Sequence, residues 1–197
     1  ALDTDLNNNI KYAGGLTVTG IAEDDEATAL TAYTTAKTGA TTNTLTATNN
    51  NWSVAVSTLD TALAAGVQFT GDLTVTSVSD ETAALADYTK GKTGADKNTL
   101  IADGVWSVAA STLDTALTGK VRLTGDLTVT DITTETDAST TYSKTATGAS
   151  NITLTASDGT WSVATGTLST DLDNNIKYVG ALTVTGITSG SETAALT

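Results

Sequence analysis

Cysteine, methionine, histidine and proline are all missing from the 197 residues, and there is a single phenylalanine. Without cysteine there are no disulfides, zinc–thiolate sites or thiol nucleophiles. Without histidine as well, the usual nucleophile–base pairs of hydrolytic catalysis cannot be assembled. A chain with neither sulfur residue offers nothing to the oxidation ladder, which suits long exposure outside a cell. Positive charge is scarce too. Nine Lys and Arg face 22 Asp and Glu, for a net charge of −13 and a pI near 4.1. Such a surface repels nucleic-acid phosphates and anionic lipid, so a nucleic-acid partner is excluded. No run approaches the ~20 apolar residues of a membrane helix, which excludes membrane insertion by that route. Nothing at Ala1 reads as a basic, apolar leader. The sequence therefore implies either a removed leader or an excerpt of a longer polypeptide.

What is present is threonine, about a quarter of the residues, together with Ala, Val and Leu. Small and β-branched side chains suit a pleated, half-buried surface.

The chain repeats itself. Trp52, Trp106 and Trp161 stand 54 and 55 residues apart, each opening a W-S-V-A phrase. L-T-V-T begins at Leu16, Leu73, Leu127 and Leu182, and Tyr33, Tyr88 and Tyr142 keep the same spacing. The copies divide the chain into 1–59, 60–113, 114–168 and a partial fourth, 169–197. That fourth copy matches the first better than its neighbours. Asp5–Ile21 recurs as Asp171–Ile187 at an offset of 166, three short units, so a triplet has begun again. The sequence implies a longer parent that cycles through this triplet.

Within a unit, Val67, Phe69, Gly71, Leu73 and Val75 share one parity and polar residues the other, which predicts a strand buried on one face. The Gly at its centre predicts a bend or a close backbone approach. Trp106, Val108 and Ala110 define a second strand, after a short one around Leu100. Asp103-Gly104 and Asp158-Gly159 between the short strand and the Trp strand predict a hairpin, because a type I′ turn needs positive φ. Asn49, Asn50 and Asn51 fill that place in the first copy. Ser111–Leu117 predicts a single helical turn. Glu23–Lys37 and Thr134–Thr147 predict a surface loop that is sometimes helical, since only there does the copy length vary. The expected fold is mainly β: tandem repeats of a hairpin plus a long strand, with a short helical turn or loop, neighbours sharing sheet or interface because so short a unit is marginal alone.

Candidate site residues are few. Glu23-Asp24-Asp25-Glu26, Asp80-Glu81 and Glu135 with Asp137 read as a solvated face rather than catalytic carboxylates, and an active site would not recur in every unit. No enzyme is expected, and no cofactor beyond a possible Ca²⁺. For that ion, Asp72 with Asp80, or Asp126 with Asp131, could meet at strand ends, although no EF-hand loop or Gly-rich nonapeptide is present. Each Trp, in phase with two valines, reads as a core plug rather than a sugar platform. The Thr17-Val18-Thr19 pattern reads as the wet face of a sheet, too sparse for an ice lattice.

In its Thr/Ala/Gly/Val-rich, acidic, Cys-free composition the chain resembles bacterial S-layer proteins, giant repetitive adhesins and flagellin outer domains. The S-T-L-D-T-A-L phrase at Ser57 and Ser111 is similar to flagellin-type sequence, without flagellin's long helical heptads. The resemblance implies secretion and an architectural role, and carries over no functional residue. The expectation is an extracellular or cell-surface structural or adhesive module, giving length and spacing in a stalk, filament or lattice. Its partners would be itself or neighbouring repeats. The alternative is a glycan-binding array using the Trp residues and loop carboxylates on surface glycans.

Overall fold

The computed structural model describes residues 2–135 and 137–188. Along the chain come α1 (Leu2–Asn7), β1 (Gly15–Ile21), a 3-10 turn (Glu23–Asp25), α2 (Glu26–Ala32), α3 (Thr35–Thr38), β2 (Thr42–Ala55), α4 (Val56–Ala64), β3 (Val67–Val78), α5 (Glu81–Asp87), α6 (Lys90–Thr93) and β4 (Lys97–Ala102). Then follow β5 (Trp106–Ala109), α7 (Ala110–Thr118), β6 (Val121–Thr124), β7 (Asp126–Ile132), α8 (Ala138–Thr141), α9 (Lys144–Thr147), β8 (Asn151–Ala164), α10 (Thr165–Asp173) and β9 (Ile176–Thr185).

The chain forms two compact units. One holds the residues up to Asp103 with Thr118–Val121, the other Gly104–Leu117 with those from Arg122 onward. In the first, β1, β2, β3 and β4 pair in that order, all parallel. Asn98 N–H donates to the Lys120 carbonyl beyond β4 at 3.0 Å. In the second, β5, β7, β8 and β9 pair in order, again all parallel.

This overturns the expectation of a mainly β, hairpin-built fold. The chain is α/β, with 42% strand and 35% helix. Parallel neighbours need a crossover, and helices supply it. α4 carries the chain from β2 to β3, and α10 from β8 to β9. The predicted single turn at Ser111–Leu117 lies inside the nine-residue α7, whose Leu113 and Ala116 are buried. The predicted loops hold α2, α3, α8 and α9.

The Asp-Gly and Asn positions are not hairpin turns. Asn49–Asn51 and Asp158–Gly159 lie inside single long strands, β2 and β8. Asn50 (φ +60°) and Gly159 (φ +73°) kink those strands without reversing them. The register slips there, between Thr46 and Asn51 in β2 and between Thr155 and Thr160 in β8. The opposite strand comes close at its own glycine. A Cβ on Gly71 would sit 2.2 Å from the Asn50 carbonyl oxygen, and one on Gly180 2.3 Å from that of Gly159. The close approach read from the central Gly is therefore present.

Each kinked strand is shared between neighbours. The first part of β3 (Val67–Thr70) pairs with β2 residues 43–46, and its second part (from Asp72) with β2 residues 51–55. Only the second part of β3 meets β4, at Lys97–Leu100 and, past a register shift, at Ala102. The apolar parity of the sequence lies against the helices: Val67, Phe69, Leu73 and Val75 are buried with Leu59 and Ala62 of α4. Threonines take the other face, with Ser53, Thr74 and Thr99 aligned across three strands.

Candidate functional site

The polar contacts that recur in this fold run both within one copy of the repeat and between neighbouring segments. Trp52, Trp106 and Trp161 are 0–2% exposed, so they are core side chains and offer no indole face to a sugar. Each also does what the sequence did not disclose. Its Nε1–H donates to a backbone carbonyl 18 residues on, at Thr70 (3.2 Å), Thr124 (3.0 Å) and Val179 (3.0 Å). Each of those carbonyls immediately precedes the positive-φ glycine, Gly71, Gly125 or Gly180, where strand pairing breaks. A carbonyl at a break in strand pairing lacks a ladder donor, and the indole supplies one.

A second recurrent contact pairs tyrosine with aspartate. Tyr33 donates to Asp3 (2.8 Å), Tyr88 to Asp60 (2.7 Å), Tyr12 to Asp5 (2.8 Å), and Tyr178 to Asp171. Tyr142 is bonded to Asp114 in the same way. All five tyrosines of the chain are therefore joined to a carboxylate. Burial, then the bond to Asp3, pushes the Tyr33 phenol up to about 12. Burial, then the aspartate partner, raises Tyr88, Tyr142 and Tyr178 further. For Tyr12 the Asp5 bond is the first cause of a rise.

The copies themselves reveal how tightly these pairs are matched. Where the helix carries Asp5 or Asp171, the residue seven positions on is Tyr12 or Tyr178. Where it carries Ala62 or Ala116, the strand carries Phe69 or Leu123. Hydroxyl and carboxylate appear together or not at all. A third contact is buried outright. Thr38 and Thr93 hydroxyls lie 3.1 and 2.9 Å from Asn43 and Asn98 Oδ1, and all four residues are fully buried. Both Asn Nδ2 groups lack a partner, and the third copy has Ile152 in that place.

The aspartates singled out as cation ligands are spread over separate tasks. Asp72 forms an ion pair with Lys97. Asp80 Oδ1 accepts from Ala83 N–H at 3.0 Å and caps α5. Asp126 accepts from the Asn151 amide at 2.6 Å. Asp131, at φ +57°, accepts from its neighbour Thr130 at 3.2 Å. Asp72 and Asp126 hold equivalent places in two copies. Among the described residues no three His, Cys, Asp or Glu side chains gather to hold a metal ion. One member of the acidic clusters departs from the solvated reading. Glu26 is 7% exposed and accepts from Ser53 N–H at 3.3 Å, and burial raises its carboxyl.

A hollow of about 510 Å³ is lined by Asp3, Asp25, Tyr33, Val18 and Ile21 among others. It offers carboxylates and a phenol already bonded to one of them, Asp3. Among the described residues no helix is long and apolar enough to cross a membrane. No family model, curated protein or solved structure matches the chain.

Proposed function

We propose that the chain is an extracellular structural module whose stacked coils provide length and spacing in a surface stalk, filament or lattice. The observation that supports this most is the use to which its distinctive side chains are put. The indole N–H groups, phenols and buried threonines are spent on cohesion within or between copies, and the indole bond returns at every Trp. Catalysis concentrates unusual chemistry at one place, whereas this chain distributes ordinary chemistry evenly. The acidic surface and the absence of sulfur residues fit prolonged exposure outside a cell.

Two measurements test the reading. An antibody against the chain should label the surface of intact source cells, or material shed from them. Labelling only after permeabilisation overturns the extracellular part. Inserting a second copy of residues 22–187 after Ile187 should lengthen the particle in X-ray scattering at constant cross-section. A rounder particle overturns the coil-stacking part.

A further inference from the structure

We propose that Asp103–Val105 is a built-in opening point, where the fold parts first while the equivalent places in the first and third copies stay shut. This property is independent of an extracellular location and of any stalk, filament or lattice.

The first and third copies show what a shut joint contains. Asn49 Oδ1 accepts from Asn51 N–H at 3.0 Å, and Asp158 Oδ1 from Thr160 N–H at 2.9 Å. Each bond spans a residue at positive φ, Asn50 at +60° or Gly159 at +73°. The carbonyl of that residue lies against the glycine of the next strand, Gly71 or Gly180. Pairing resumes past the kink, with Asn51 opposite Asp72 and Thr160 opposite Ala181. β2, β3, β8 and β9 therefore each run unbroken through this point.

The second copy is one residue short. Five residues separate Leu100 from Trp106, where six separate Leu45 from Trp52 and Leu154 from Trp161. Asp103-Gly104 keeps the letters of Asp158-Gly159, but Gly104 does not take positive φ. β4 stops at Ala102 and β5 starts at Trp106, with Val105 59% exposed between them. The following glycine has lost its neighbour. Gly125 keeps φ +103°, but nothing lies within 4 Å of a Cβ built there. Its strand breaks as well, β6 ending at Thr124 and β7 beginning at Asp126. One missing residue thus accompanies two interrupted strands. The division between the two compact units crosses the chain between Asp103 and Gly104.

Exposure does not separate the three places, since Asn49–Asn51 and Asp158–Thr160 are exposed too. The clasped kink does. Local opening begins where few backbone bonds and contacts hold the chain, and here the second copy has lost both. Along tandem copies, one joint in three would open before the rest.

Thermolysin cuts before apolar residues, so the Gly104–Val105 bond reports the opening. Under native conditions, with fragments identified by mass, the first cut between residues 22 and 187 should fall there. Inserting one Ser between Ala102 and Asp103 restores the length and the Ser-Asp-Gly order of Ser157–Gly159 while keeping the Gly104–Val105 bond. It should slow that cut at least about tenfold, because cutting tracks the population of the open form. The reverse change is made in the third copy. Thr160→Val alone supplies the same bond and should resist, whereas Thr160→Val with Ser157 deleted should be cut as the parent is at Gly104–Val105. Circular dichroism checks that each variant is folded, and the insertion arm decides alone if the deletion unfolds the chain. A first cut elsewhere, an insertion that leaves the rate unchanged, or equal cutting of the two folded third-copy variants overturns the proposal.

Discussion

Phe69 sits where Tyr12 and Tyr178 sit in other copies, and Ala62 where Asp5 and Asp171 sit. The helix ends agree closely. After α4, Ala65 has φ −87° and ψ 11°, and after α10, Asn174 has φ −92° and ψ 14°. Grafting the polar pair into the second copy therefore tests whether hydroxyl and carboxylate are one unit. Phe69 is 1% exposed and packs edge to face on Trp52 at 5.0 Å, and Ala62 is 2% exposed. Phe69→Tyr alone buries a hydroxyl facing a methyl group and should cost about 1–3 kcal/mol. Ala62→Asp alone buries an unpaired carboxylate and should cost about 3–5 kcal/mol. Together they rebuild the bond seen at 2.8 Å between Tyr12 and Asp5. The double variant should recover about 2–3 kcal/mol relative to the sum of the singles. Urea unfolding of the four proteins gives the coupling, provided their transitions share one slope. Additivity within about 0.5 kcal/mol would refute the claim that the copies exchange these residues as a pair.

Asn98→Ile should stabilise the chain by about 1–3 kcal/mol in thermal or urea unfolding. It removes a buried amide with an unpaired Nδ2, and Ile152 fills the same place fully buried. Trp106→Ala should cost about 3–5 kcal/mol through the cavity alone. Trp106→Phe should also lose stability, because the Thr124 carbonyl then lacks its donor. A Phe variant as stable as the parent in urea would show that the indole N–H is idle. Raised tyrosine pKa values stabilise the neutral form in the fold. Their contribution is complete below the ordinary value of about 10 and is lost as pH rises toward the folded value, about 12 for Tyr33. Tyrosinate absorbance should therefore appear together with loss of circular dichroism above pH ~10. Tyrosines that ionise near 10 in an intact fold would contradict this.

Much of the core was legible in the sequence, because Trp, L-T-V-T and Tyr recur in step and the apolar parity of Val67 to Val75 marks one buried face. Strand direction was not. Alternation looks the same in parallel and antiparallel pairs, and Asn50 and Gly159 meet a demand for positive φ that a kink and a type I′ turn share. The signal that separates the two was the spacing. Between Ala55 and Val67 lies enough chain for a helical crossover and too much for a tight turn. The short helices around Ala138 and Lys144 were legible only as a loop that is sometimes helical, because four residues have no helical stability of their own. Their order comes from burial of Ala138, Tyr142 and Thr147. The Tyr–Asp pairs were recoverable from the copies, by noticing that Tyr follows Asp and Phe or Leu follows Ala at the same interval. The indole-to-carbonyl bonds had no such signal, since a Trp plug and a Trp donor leave the same letter.

The kinked strands give the array the bond of laid brick. In the first unit β3 pairs with β2 along both of its parts and with β4 along only the second, so joints on its two sides are offset. β8 repeats the arrangement, meeting β9 along both parts and β7 along one. A seam that follows one joint meets the middle of a strand at the next course, and must tear main-chain hydrogen bonds to continue. The stretch that was duplicated and the stretch that coheres are out of phase. Within each unit a break must therefore step from joint to joint.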